Sequence, residues 1–149
     1  MKHPTPPFPR PALLYLGAIE CIHMVMILRS GAHLLRKGEI GLLAPPPPSG
    51  WPAGASHFLL GLGAVDFLVA LIAMLFVWGA LRDKKWSLPL GNAVLTAIAY
   101  SGLIFAIGTG PTGAWSQSPL TYWGMVALYT PIACLTLRTW RIAFTSREG

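Results

Sequence analysis

Charged residues are scarce in this chain, and acidic residues are the scarcest. Only 11% of the 149 residues are charged, and five of these are Asp or Glu. A soluble domain usually carries about 25% charged residues, because water must solvate most of its surface. With 54% hydrophobic residues and a mean hydropathy of +0.57, the composition instead predicts an integral membrane protein.

Cysteine is also rare, and its placement excludes two kinds of site. Cys21 and Cys134 both fall within apolar runs, without the CxxC or Cys/His spacing of a structural zinc site or a redox pair. A polybasic tract is missing too, although the net charge is +6. The Lys and Arg residues stand singly or in pairs between apolar runs, which excludes a nucleic-acid partner and is typical of topology signals.

Four apolar runs account for most of the remaining sequence. We expect membrane-spanning helices at about residues 12–28, 56–81, 88–108 and 120–137. A hydrocarbon core of about 30 Å needs about 20 helical residues. The second and third runs meet that length, and flanking amphipathic residues can extend the other two. The sequence therefore predicts an all-α fold, an antiparallel four-helix membrane bundle that forms one domain over residues 1–149.

The distribution of basic residues predicts the orientation of the bundle. Eight lie in the two tails and in the turn between spans 2 and 3: Lys2, Arg10, Arg82, Lys84, Lys85, Arg138, Arg141 and Arg147. Three lie in the loop between spans 1 and 2: Arg29, Arg36 and Lys37. This asymmetry predicts a multi-pass protein with both termini in the cytoplasm.

The loop between spans 1 and 2 leaves two alternatives open. Ser30 and Ala32 resemble a signal-peptide cleavage pair, but Glu20 and His23 interrupt the preceding apolar run, so we expect span 1 to be retained. Four consecutive prolines, at positions 45–48, predict an extended segment. This segment is either a strap over the outer mouth of the bundle or a spacer.

Two carboxylates interrupt the apolar runs, and each needs a partner or a purpose in hydrocarbon. By helical rise, Glu20 lies about 13 Å and Asp66 about 15 Å below the outer ends of spans 1 and 2, near the midplane. His23 follows Glu20 at i+3 on the same helical face. Asp66 shares a face with Gly63, Ala70 and Ala73, small residues that allow close helix packing.

Spans 3 and 4 offer further polar side chains for the same region. We expect Ala93, Ala97 and Ser101 to form a packing edge on span 3, beside a polar stripe that contains Asn92, Thr96 and Tyr100. The inward-facing cluster would contain Glu20, His23, Asp66, Thr96, Tyr100 and Tyr129. The alternative is a hydrogen-bonded network that only holds the helices together.

Haem is the cofactor for which the histidines are candidate ligands. Its ligands would be His23 and His57, but His57 lies about 9 Å shallower by helical rise, which does not suit a bis-histidine site. We expect neither a cofactor nor a metal.

Span 4 contains the sequence VALYTPIACL, with Tyr129, Thr130 and Pro131. This sequence and the four-helix layout resemble the EXPERA-type membrane proteins, which include the emopamil-binding sterol isomerases and the sigma-2 receptor. They also resemble small bacterial four-helix membrane families. The EXPERA resemblance implies an intramembrane cavity for sterol-like or cationic amphiphilic ligands, with Glu20 and Asp66 meeting the ligand's charge. The isomerases' catalytic histidine and glutamates do not map one to one, because His23 is on span 1 and span 3 has no acid.

The sequence therefore favours a protein that binds a membrane lipid or a hydrophobic small molecule, with Glu20, His23, Asp66, Thr96, Tyr100 and Tyr129 as ligand-binding residues. In an isomerase-like enzyme, the catalytic residues would be Glu20, His23 and Asp66, with Glu20 and His23 exchanging protons. The alternative from another class is a non-catalytic accessory subunit of a larger membrane complex. A homodimer is also open.

Reporter fusions test the predicted orientation. Fusions after Lys85 and after Gly149 should both report the cytoplasm, whereas a fusion after Gly113 should report the opposite compartment, since the basic residues concentrate on one side. An alkaline phosphatase and green fluorescent protein pair at each position provides the measurement. An external C-terminus would contradict the four-span arrangement.

Overall fold

A computed structural model describes residues 8–37 and 44–145 of the chain. The helices are α1 (Arg10–Lys37), α2 (Ala53–Leu81), α3 (Ser87–Thr109), a 3₁₀ turn (Gly110–Thr112), the short α4 (Ala114–Gln117) and α5 (Pro119–Thr145). The described residues contain no strand. Because α1, α2, α3 and α5 are each long and apolar enough to cross a membrane, the predicted all-α four-helix arrangement is confirmed.

Prolines mark the starts of all four long helices. Pro11 and Pro89 lie in the first turns of α1 and α3, Pro52 immediately precedes α2, and Pro119 is the first residue of α5. Proline suits these positions, because the first turn of a helix leaves its amides unpaired and proline has no amide hydrogen to lose. Proline thus specifies where the chain enters each helix.

The predicted spans 2 and 3 agree with α2 and α3 to within three residues, whereas α1 and α5 are longer than predicted. α1 continues nine residues beyond the predicted end at residue 28, through Arg29 to Lys37, and α5 continues from residue 137 to Thr145. Polar and charged residues end an apolar run, but they do not end a helix. The predicted boundaries therefore mark the ends of the apolar runs rather than the ends of the hydrogen-bonded helices.

We call the end of the bundle that carries the α2–α3 turn the basic end, and the opposite end the loop end. The main apolar core lies toward the basic end and is built from α1, α2, α3 and α5. It contains the buried residues Leu13, Leu16, Phe76, Val77, Val94, Leu95, Ile132 and Leu135. Ala70 and Ala73 are also fully buried, as expected for the small-residue face of α2.

The polyproline segment packs against the loop end. The Tyr122 hydroxyl donates a hydrogen bond of 2.8 Å to the carbonyl of Pro45. Tyr122 is fully buried and stacks with Trp115 and Phe105, at ring-centroid distances of 5.2 and 6.1 Å. These contacts agree with the strap interpretation of the loop between spans 1 and 2.

The packing edge predicted on α3 is only partly found. Ala93 is exposed, Ala97 is half-buried, and Ser101 reaches Asp66 on α2. The buried face of α3 is instead formed by Gly91, Val94, Leu95 and Ile98. Val94, Leu95 and Ile98 take the buried positions instead of the alanines, because larger apolar side chains bury more surface against α2 and α5.

One glycine on this face has no room for a side chain. A Cβ at Gly91 would lie 2.5 Å from the ring of Phe76, which is fully buried and packs edge-to-face on Phe8 at 5.0 Å. The ring is enclosed on its other side, so it cannot move away. Gly91 therefore allows α2 and α3 to approach closely.

Gly91→Ala should destabilise the protein by about 1–3 kcal/mol, the usual cost of overpacking a filled core. Gly102→Ala is the matched control, because a Cβ at Gly102 meets nothing within 4 Å and should leave stability unchanged or slightly raised. Unfolding in mixed micelles of increasing denaturing detergent gives both free energies. Equal stability of the two variants would show that α2 and α3 do not pack through Gly91.

Candidate functional site

Glu20 is the most buried polar group within the span of α1. It follows Leu13, Leu16 and Gly17 on the buried face of that helix and is only 1% exposed. Its Oε2 atom lies 3.7 Å from Nδ1 of His23. Its Oε1 atom is buried and has no hydrogen-bond partner among the described residues. A buried carboxyl oxygen without a partner is unusual and carries a desolvation cost.

His23 connects this carboxyl group to α5. The Tyr129 hydroxyl lies 3.2 Å from the same Nδ1 atom, and the two rings meet edge-to-face. The tautomer of His23 decides the direction of this bond, since a bare Nδ1 accepts from Tyr129 and a protonated Nδ1 donates. The His23 side chain is 30% exposed, so the cluster can be reached from outside the bundle at this point.

Asp66 reaches the same region from α2. The Ser101 hydroxyl of α3 donates a hydrogen bond to Asp66 Oδ1. Asp66 is half-buried and lies within electrostatic range of both His23 and Glu20. Among the described residues the two acids do not hydrogen-bond to each other, and both lie within electrostatic range of His23 and of Tyr129.

The seam between α1 and α5 is the least extensive packing between neighbouring long helices. Two tyrosines bridge it, one from each helix. The Tyr15 hydroxyl donates to the Leu128 carbonyl at 2.7 Å, and Tyr129 meets His23. Leu128 precedes Pro131 by three residues, in the turn of α5 where the missing proline amide weakens the helix ladder.

The structure brings together four of the six residues predicted for the cluster: Glu20, His23, Asp66 and Tyr129. It does not bring Thr96 or Tyr100 into this cluster. Thr96 donates to the carbonyl of Asn92 and accepts from Trp140 Nε1 at 2.9 Å, toward the basic end. Tyr100 is 64% exposed, because two residues of helix place it about 200° around the axis from the buried Ile98.

Sequence reasoning missed two members of the site. Ser101 donates its hydroxyl hydrogen to Asp66 instead of serving only as part of a packing edge, and its spacing of three residues from the buried Ile98 is the signal for the inner face. Tyr15 is the other. An aromatic hydroxyl in an apolar run about two turns before His23 is the signal that could have found it.

The arrangement supports hydrogen bonding, charge pairing and proton transfer. The described residues contain no group of three His, Cys, Asp or Glu side chains placed to hold a metal ion. Glu20, His23 and Tyr129 instead form a short chain of groups that can donate or accept protons. Such a chain can bind an amine or a hydroxyl, or can carry a proton to and from a substrate.

Comparisons of the sequence with protein-family models, curated proteins and solved structures found no match. The resemblance to EXPERA-type proteins therefore stays a hypothesis. The function has to be argued from the geometry of this site.

Tyrosine-to-phenylalanine changes measure the strength of the α1–α5 seam. Tyr15→Phe and Tyr129→Phe should each destabilise the protein by about 0.6 kcal/mol and by no more than about 1.7, the range for hydrogen bonds between membrane helices. Tyr100→Phe removes the same atom from an exposed side chain and should have no effect. Unfolding in mixed micelles tests this, and a loss for Tyr100→Phe equal to the others would contradict the assigned seam.

Proposed function

We propose that this protein binds a hydrophobic or sterol-like small molecule within the membrane, and that the polar end of the ligand is held by Glu20, His23 and Asp66. The ligand would carry a hydrogen-bond donor, either a hydroxyl group or an ammonium group. Tyr129 completes the site through its bond to His23.

The observation that carries the proposal is the unpartnered Oε1 atom of Glu20. The residue is 1% exposed and lies in a helix long and apolar enough to span the membrane. A carboxyl group in hydrocarbon needs a partner for its charge or for its lone pairs. A donor on a bound ligand would supply the missing hydrogen bond to Oε1.

Asp66 strengthens the preference for a cationic ligand. It adds a second acid within electrostatic range of Glu20, and no Lys or Arg stands within five residues of either acid. Two carboxylates in a medium of low dielectric repel each other when both ionise. A ligand ammonium group relieves that repulsion directly, whereas with a neutral hydroxyl ligand the repulsion is relieved only by protonation of one acid or of His23.

The route of entry follows from the exposure of His23. Its side chain is 30% exposed while Glu20 beside it is buried, and the α1–α5 seam is the least extensively packed of the bundle. A ligand dissolved in the bilayer would therefore approach from the lipid, between α1 and α5. Its apolar part would remain among the acyl chains and the exposed apolar side chains of these helices.

One observation favours the alternative function, an accessory subunit of a larger complex. Tyr100 lies in the middle of α3, is 64% exposed and presents a hydroxyl group outward. A hydroxyl group that faces hydrocarbon needs an acceptor, which a neighbouring helix of another chain would provide. In that case Tyr100→Phe would lower the yield of a co-purified partner and leave ligand binding unchanged.

Binding of a tritiated cationic amphiphile to the purified protein tests the proposal. Glu20→Gln and Asp66→Asn should each weaken binding at least tenfold, because both changes keep the shape of the side chain and remove its charge. Asp83→Asn is the matched control, since Asp83 is an exposed acid in the α2–α3 turn, and it should bind like the wild type. Mass spectrometry of co-purified lipids then identifies the natural ligand.

A purely structural role for the acids predicts the opposite pattern. Asp66→Asn would then be neutral or stabilising, because the change removes a desolvation cost. Binding would be the same for all three variants. That result would exclude the proposed site.

A further inference from the structure

Cations are concentrated at the basic end of the bundle, where the sequence pattern indicates only a role in orientation. Exposed cations occur there on α1, on α5 and on the α2–α3 turn: Arg10, Arg82, Lys84, Lys85, Arg138 and Arg141. Asp83 is the one acid at this end within the described residues. We propose that the α2–α3 turn, with Arg82, Lys84 and Lys85, binds the headgroup of an anionic phospholipid. This inference is independent of the proposed function.

Two hydrogen bonds fix the backbone of the turn that carries these cations. The amide of Lys84 donates to the carbonyl of Gly79 at 2.9 Å, and the amide of Asp83 donates to that of Ala80 at 3.2 Å. With Asp83 in the left-handed region at φ +52°, this is the Schellman motif that ends a helix. The motif fixes the backbone conformation of the turn that carries the three basic side chains.

An aromatic stack fixes the position of Arg82. Its guanidinium carbon lies 5.3 Å from the centroid of the Trp78 ring. Trp78 stacks on Trp86, with centroids 6.0 Å apart and 28° between the ring planes. The Trp86 ring in turn lies on the backbone of α2 at Gly79, where a Cβ would come within 2.3 Å of it. The exposed Arg82 guanidinium is thus held against the Trp78 ring at the end of α2.

The same stack identifies the partner as a lipid. Trp78 and Trp86 are 47% and 39% exposed, and tryptophan at a helix end prefers the boundary between headgroups and acyl chains. A free phosphate ion would bind the cations but would not contact these rings. An anionic phospholipid matches both, because its phosphate can meet Arg82 and the two lysines while its glycerol and acyl groups cover the indoles.

Tryptophan quenching by brominated lipids tests the site in the intact protein. The protein is reconstituted in phosphatidylcholine that is progressively replaced by brominated phosphatidylglycerol, and the quenching curve gives the preference for the anionic lipid. The triple variant Arg82→Gln, Lys84→Gln and Lys85→Gln should lower that preference at least tenfold, since each cation contributes about fivefold. The replaced side chains are exposed, and circular dichroism verifies that the helices are retained.

The matched control removes three cations from the other end of α1. Arg29→Gln, Arg36→Gln and Lys37→Gln together change the net charge equally and should leave the preference near its wild-type value. An equal loss in both triples would show a general effect of net charge and would overturn the proposal, as would no loss in either. If millimolar glycerol phosphate abolished the preference, the site would recognise a free phosphate group rather than a lipid.

Discussion

A carboxyl group within a membrane-spanning helix needs partners that lipid chains cannot supply, and the buried Glu20 is the group at which this constraint acts most strongly. Its burial brings His23 toward the α1–α5 seam, and His23 brings Tyr129 of α5 into contact with α1. Asp66 meets the same constraint separately, through Ser101 of α3. The two acids thereby join the long helices in two pairs, α1 with α5 and α2 with α3.

The polar cluster around Glu20 divides the bundle into three layers. Toward the basic end lies the apolar core around Phe76, and toward the loop end lies the aromatic cluster around Tyr122. Both layers are filled by large side chains. The polar layer between them is held by few hydrogen bonds, each of them weak. A change of hydrogen-bond partner in this layer, such as the binding of a ligand, would therefore disturb the structure less than a change in either of the other layers.

The positions of the helices could be predicted from the sequence because hydrocarbon imposes a simple rule on composition and length. The ends of α1 and α5 could not, since Arg29 and Arg138 end the apolar runs of the sequence but remain helical. The cluster was partly predictable. Depth along a helix follows from counting residues, which brought Glu20, His23 and Asp66 together. Rotation about the axis depends on which apolar side chains pack best, and that placed Tyr100 outside.

The bond between Tyr122 and Pro45 has a consequence for the order of assembly. Its partners are 77 residues apart in sequence, and Tyr122 lies in α5, which follows the other three long helices in the described chain. At 5–20 residues per second, roughly 4–15 s separate the synthesis of the two residues. The polyproline segment has therefore emerged long before its docking surface exists. Its attachment through Tyr122 can occur only after the first turn of α5 has been synthesised, so it follows the synthesis of α1, α2 and α3.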